Sequence, residues 1–289
     1  MNMRKLLPFA LLLSSLVSCG GQGGGKPLIA ASFYPIYFAA KEIAGDAFEV
    51  INMTPPGAEP HDLELTPSAV TKLTEAKAIF VNGLDMEPWY PSLNPSLKSK
   101  AFEVSKNIEV ERVDERIDPH VWLSTENYRK MGENIRDSLL SLMPEYRETF
   151  NANFTAFSEK IDVLQQKCAE IRVSFSLNKT IATAHAAYGY MAKEQGFSML
   201  YISSLSPDEE PTQKGIESIL DAIDRLGIDT VFFEELTSDA VARKIAQATG
   251  AKCESLNPLE GLTQEEIDRG EDYFSVYLEN MRKIKEAKP

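Results

Sequence analysis

The chain has 289 residues, and 43 acidic against 30 basic side chains give it a formal charge of −13. So acidic a body argues against nucleic-acid binding, which needs a basic face, while the length suffices for two domains of ordinary size. Three cysteines with no CxxC pair, and no cysteine beside any of the three histidines, exclude a thiolate zinc knuckle.

Arg4 and Lys5 precede an apolar run from Leu6 to Leu13, and small, polar Ser14 and Ser15 follow. That order predicts an export signal over residues 1–18, too short to span a bilayer as a stable helix. Leu16-Val17-Ser18-Cys19 then resembles a bacterial lipobox, in which Cys19 is lipidated and opens the mature chain. Residues 19–26 read as the lipidated cysteine and a glycine-rich tether, as a membrane-anchored module needs. Removing Arg4 and Lys5 with the signal takes the charge from −13 to −15. Only Cys168 and Cys253 remain to pair in an oxidising compartment, and their spacing leaves the bridge undecided.

Apolar runs bounded by turn signals predict strands at 27–32, 48–53, 78–82 and 101–104, with helices near 36–45 and 67–77 between them. Residues 125–174 hold no strand candidate. Pro144 divides them into a helix over 125–142 and a longer one over 145–174. In the longer helix Phe150, Phe154, Phe157, Ile161, Leu164, Cys168 and Ile171 form an apolar stripe, read as core. Strands then return at 180–185, 198–203, 229–235 and 251–256, alternating with helices near 212–226, 238–249 and 271–286. A further helix is expected just after His185, its start positioned by Tyr188 and Tyr190. The alternation predicts an α/β fold of two lobes, 27–144 and 175–289. Each has a mostly parallel sheet flanked by helices, and the helix over 145–174 joins them.

His61 sits in "PPGAEPHDLELTP", a loop framed by four prolines; His120 lies in "IDPHVWL"; His185 closes the strand "TIATAH". Ligands of open α/β sheets collect at the carboxyl ends of strands, so all three can meet in one cleft. A single histidine is more often a satisfied structural residue than a ligand, but three at such places point to a shared metal site. Each has a carboxylate at hand to orient it: Glu59 and Asp62, Asp118, and Glu234 or Glu235 if the lobes stack. The separations of 59 and 65 residues form no local metal motif. Trp89 and Tyr90 are expected to pack near the rim of the cleft and Trp122 to support the His120 loop from within. "PDEEP" at 207–211 reads as a solvated loop.

The segments "GAEPHDLELTP", "NGLDMEPW", "DPHVWL", "HAAYGYMAKEQG", "FFEE" and "NPLEGL" stand in the order expected of cluster A-I metal-binding lipoproteins, the solute-binding components of zinc and manganese ABC importers. From about Pro27 to Lys285 the chain resembles this ZnuA/TroA-like family. The resemblance implies two pseudo-symmetric lobes on a rigid backbone helix, one metal ion between them, and docking of the loaded protein on a membrane permease. Its G-x-x-P-H-D, D-P-H-x-W and H-x-A-F/Y-G-Y motifs place ligands at His61, His120 and His185. Histidine at the third position, where manganese members often carry glutamate, favours Zn²⁺ over Mn²⁺. Residues 62–119 lack the histidine-rich loop of many zinc members, which weakens that preference somewhat. At the fourth position the family's aspartate is replaced by Asn257, a neutral and weaker donor. Glu59 or a water is then the expected substitute, with lower affinity a further alternative. Glu234, in the family's F-x-E position, is expected to orient a ligand rather than be one.

The expectation is a non-enzymatic carrier, monomeric and held to a bacterial membrane by its lipid. It would release metal by rearrangement near the ligands rather than by wide lobe closure. Two other readings stay open. A three-histidine zinc hydrolase or hydratase could use a water in the open position and Glu59 or Glu64 as base, and some relatives are assigned a role as surface adhesins.

Overall fold

A computed structural model describes residues 25–288 apart from 208 and 210; the export signal and Cys19 lie outside the described residues. In the first half β1 (Leu28–Ala31), β2 (Glu49–Asn52), β3 (Ala78–Val81) and β4 (Ala101–Glu103) form a parallel sheet in the order β2-β1-β3-β4. The apolar "AIFV" of β3 is buried along its whole length, as a parallel strand covered on both faces must be. The helices of this half are α1 (Tyr34–Ala44), α2 (Pro67–Glu75) and α3 (Pro95–Lys98). Both α2 and α3 start on a proline, and the side chains of Thr66 and Asn94 accept the free amides of their first turns.

A hairpin of β5 (Arg112–Val113) and β6 (Arg116–Ile117) follows. Strands of two residues are too short to show an alternation, so the sequence does not reveal them. Both turn residues, Asp114 and Glu115, adopt positive φ (50° and 66°), the condition for a tight two-residue hairpin.

Helix α4 (Thr125–Leu142) stops before Pro144, and α5 (Arg147–Arg172) follows after one tight turn. The α5 stripe buries Phe150, Phe157, Ile161, Leu164 and Cys168, with Phe154 and Ile171 partly covered. It packs against α1, α4 and α10 (Tyr273–Glu286).

In the second half β7 (Thr180–His185), β8 (Ser198–Ser203), β9 (Thr230–Phe233) and β10 (Lys252–Ser255) form another parallel sheet, ordered β10-β9-β7-β8. Its helices are α6 (Gly189–Gln195), α7 (Gln213–Leu226), α8 (Ala240–Thr249) and α9 (Gln264–Asp268). The fold is thus α/β, with two parallel sheets flanked by helices and a 26-residue helix between them in sequence.

The two halves are sewn together by large polar aromatics. The Tyr128 ring stacks on Tyr273 at 3.8 Å between centroids. The Tyr273 and Tyr277 hydroxyls donate to the carbonyls of Trp122 and Leu123 at 2.5 and 3.1 Å. The Trp122 indole donates to the Pro258 carbonyl at 2.8 Å, and its side chain is fully buried. Trp89 is buried as expected, packed with Leu73, Val81, Leu93 and Leu97. Cys168 and Cys253 are both free thiols. Among the described residues no helix is long and apolar enough to cross a membrane.

Candidate metal centre

His61, His120 and His185 come from a loop, a turn and a strand end, and their Nε2 atoms converge. His61 stands in a turn started by Pro60, and its backbone amide donates to the Glu59 carboxylate at 3.1 Å. That loop is tied across the molecule by the Gly57 amide, which donates to the Leu262 carbonyl at 3.1 Å. His120 follows the β5–β6 hairpin and is fully buried. One oxygen of Asp118 accepts both its backbone amide (3.0 Å) and its Nδ1 (2.7 Å). His185 ends β7, and its Nδ1 lies 2.6 Å from a Glu234 oxygen. A carboxylate can only accept here, so Nδ1 carries a proton in both residues and Nε2 is the nitrogen that offers a lone pair when the ring is neutral.

Those lone pairs face each other. The His120 Nε2 lies 3.3 Å from the Nε2 of His61 and 3.3 Å from that of His185. A fourth donor, Glu260, joins them: its Oε1 lies 3.2, 3.6 and 3.7 Å from the Nε2 atoms of His120, His61 and His185. The ligand atoms of all four residues fall within 4.8 Å of one another. Both Glu260 oxygens are buried and accept no hydrogen bond of good geometry. A buried carboxylate facing three imidazole nitrogens is an arrangement that a metal cation satisfies, and that protons on the imidazoles satisfy in its absence.

Electrostatics agree with that reading. Burial opposes a charge on His120 and His185, yet Asp118 and Glu234, together with Glu260, outweigh it, raising His120 and holding His185 well above its ordinary value. Burial alone would raise Glu260; the three imidazoles instead hold it well below the usual carboxylate range. Glu59 is pushed up to about 9 by its own burial and by the negative Glu260 beside it. Of this pair Glu260 is therefore the ionised carboxylate, and Glu59 is kept as a neutral acid at pH 7.

The expected histidines, with Asp118 and Glu234 as their partners, are brought together. The fourth position differs from the expectation. Asn257 sits three residues before Glu260 with its side chain engaged elsewhere: Oδ1 accepts the Leu259 amide at 2.7 Å and Nδ2 donates to Glu266 at 3.1 Å. Glu59 caps the His61 turn. Sequence alone does not single out Glu260, the carboxylate of "NPLEGL". Its signal is a lone carboxylate in an apolar loop directly after a strand. Trp122 lies against the His120 ring, 5.2 Å between centroids, as the expected buried support. An open pocket of about 660 Å³, lined by His61, Glu64, Trp89 and Leu97 among others, adjoins the site.

Comparison with known proteins bears on the whole chain. The family described as "ZnuA: Zinc-uptake complex component A periplasmic" matches residues 29–287. The chain belongs to this family. It is 35% identical over 303 residues to the zinc-binding lipoprotein AdcA of Streptococcus pneumoniae, covering 96% of this chain and 60% of that one. The chain thus spans about 60% of the length of the AdcA protein it matches. It is also 30% identical to the high-affinity zinc uptake system protein ZnuA of Bacillus subtilis, over 95% of this chain and 91% of that one. The crystal structure of the Zn(II)-bound ZnuA-like domain of S. pneumoniae AdcA superposes with a TM-score of 0.78 at 36% identity, covering 90% of this chain and 98% of that one. The laminin-binding protein Lmb of Streptococcus agalactiae, described as a bifunctional adhesin and metal transporter, superposes at 0.82 with 28% identity, over 90% of this chain and 98% of that one.

Proposed function

We propose that this protein captures one Zn²⁺ ion outside the cytoplasmic membrane, on His61, His120, His185 and Glu260, and delivers it to the permease of an ABC importer. The observation that carries the ligand assignment is the spacing of the donors. Zinc bonds of about 2.0–2.1 Å in a tetrahedron put neighbouring donor atoms about 3.3–3.4 Å apart. The separations to the His120 Nε2 are 3.2–3.3 Å, and those from Glu260 to the other two imidazoles are 3.6–3.7 Å. Three imidazoles and one carboxylate suit zinc better than the harder Mn²⁺. Glu260 removes the charge problem that three neutral imidazoles and an amide would leave, and Asp118 and Glu234 neutralise it further while fixing each ring.

The zinc-binding and zinc-uptake names of the relatives support the same cargo. Family membership supports a binding component rather than a hydrolase, and Glu260 occupies the place where a hydrolytic site keeps its water. Lipidation at Cys19 would hold the carrier at the membrane as a monomer, within reach of the permease.

The test is competitive binding on the mature chain, stripped of metal and dialysed against equal free Zn²⁺ and Mn²⁺, with elemental analysis of the bound metal. One zinc per chain is expected. His61→Ala and Glu260→Gln should each weaken it at least about tenfold, the scale on which even the outer partners of metal ligands act. Preferential manganese, or no bound metal, would overturn the proposal.

A further inference from the structure

Apart from the imidazoles it faces, Glu260 has no hydrogen-bond partner to aim it, so its direction is inherited from the backbone that carries it. That backbone is unusual. Leu259, immediately before it, is fully buried and left-handed, with φ of 62°. A non-glycine residue persists there only where its surroundings hold it.

What holds it is Asn257. Its Oδ1 accepts the Leu259 amide at 2.7 Å, closing a side-chain-to-backbone turn. Its Nδ2 donates to Glu266 Oε1 at 3.1 Å and approaches the Gly261 carbonyl at 3.5 Å. Its backbone is clamped by Asn280 of α10, which accepts the Asn257 amide at 3.1 Å and donates to its carbonyl at 2.6 Å. Glu266 is fixed in turn, because its other oxygen accepts the Thr263 amide at 2.7 Å in the capping box of α9. Asn257, Glu266 and Asn280 are all buried. The far side of the loop leaves little play: a Cβ on Gly261 would meet the Leu236 side chain at 3.0 Å.

We infer that Asn257 is a positioning residue for zinc: through Leu259 and Glu266 it sets the direction from which the Glu260 carboxylate meets the three imidazoles. The inference rests on the ligand set proposed above. It requires the amide specifically, since position 257 must accept from one neighbour and donate to the other, which a carboxylate cannot do. Asn257→Asp would set two carboxylates against each other at about the present 3.1 Å, buried and with no donor between them. Glu266→Gln in the same chain reverses the defect. Its Oε1 takes the Thr263 amide and its Nε2 donates to the new aspartate.

This reciprocity gives a test that a merely structural asparagine would fail. Zn²⁺ affinity, read by competition with a chromophoric chelator, and the visible spectrum of the Co²⁺-loaded protein are measured for Asn257→Asp, Glu266→Gln, the double variant and Glu260→Gln. We expect Asn257→Asp to weaken zinc at least tenfold and to reproduce the Co²⁺ spectrum of Glu260→Gln. The double variant should recover wild-type affinity to within about threefold and regain the four-donor spectrum. Wild-type binding in Asn257→Asp, or a loss that the double variant does not repair, would overturn the inference. Should Asn257→Asp not fold, Glu266→Gln alone decides, and a Co²⁺ spectrum identical to wild type sinks the idea. Wild-type binding in Glu260→Gln would instead sink the ligand assignment itself, and the positioning role with it.

Discussion

At the scale of residues, the metal centre competes with protons. Metal binding needs neutral imidazoles, while the metal-free cluster, with Asp118, Glu234 and Glu260 around it, draws protons onto His120 and His185. Both histidines titrate in the folded protein above their ordinary value of 6.5, so the stability they add is complete below about that pH and is lost as pH rises through the raised values. Glu59 acts in the same direction, since its folded value of about 9 stands above its ordinary 4.5. Glu260 acts oppositely: its contribution is present above its ordinary 4.5 and is lost as pH falls through its depressed value. The metal-free protein should therefore melt at progressively lower temperature between pH 6.5 and 9, whereas zinc affinity climbs over the same interval. Calorimetric zinc titrations at pH 7, in buffers of differing ionisation enthalpy, should read protons released on binding. A binding heat independent of buffer would contradict this account.

At the scale of elements, α4 and α5 meet at a point with no spare volume. A Cβ at Gly132 would come within 2.6 Å of the Phe157 ring and 3.4 Å of Ile43. That ring is itself packed against Tyr128 and Phe274, 5.3 and 6.1 Å between centroids, and has nowhere to swing. Gly132→Ala raises helix propensity, yet it should destabilise the protein by about 1–3 kcal/mol through overpacking, measured by urea unfolding. An unchanged midpoint would show that α4 shifts freely on α5. These elements were legible in the sequence because each advertises itself locally: β3 as an unbroken apolar run bounded by turn signals, and α5 as a stripe at three- and four-residue steps. The β5–β6 hairpin, α3 and α9 were not, for they span two to five residues and offer no period to read. The candidate site divides in the same way. Histidines are rare in this chain, so each one stood out, and Asp118 was read beside His120. Glu260 is one of 43 acidic residues, and only the three-dimensional path of its loop distinguishes it. The side chain of Asn257 is equally unmarked, because its hydrogen bonds to Leu259 and Glu266 arise only from the folded path of the loop.

At the scale of the whole molecule, the tyrosine and tryptophan bonds between Trp122, Pro258, Tyr273 and Tyr277 bridge the two halves across more than a hundred residues of sequence. Wide hinge opening would break several buried hydrogen bonds at once, each worth about 1 kcal/mol net and more if a partner is left unpaired. Small-angle scattering of the metal-free and zinc-loaded protein should accordingly give indistinguishable radii of gyration. A clear expansion on metal removal would refute a fixed frame. The same frame gives metal exchange a direction. The side chains of His120, His185 and Glu260 have no solvent exposure, while that of His61 keeps 10%. With the ligands proposed above, an incoming donor would meet His61 first. On the proposed ligand set zinc would then leave by associative exchange, passing from one coordination sphere into another one bond at a time. The rate of hand-off would be set by the chemistry of whatever receives the metal, not by how often the carrier falls open.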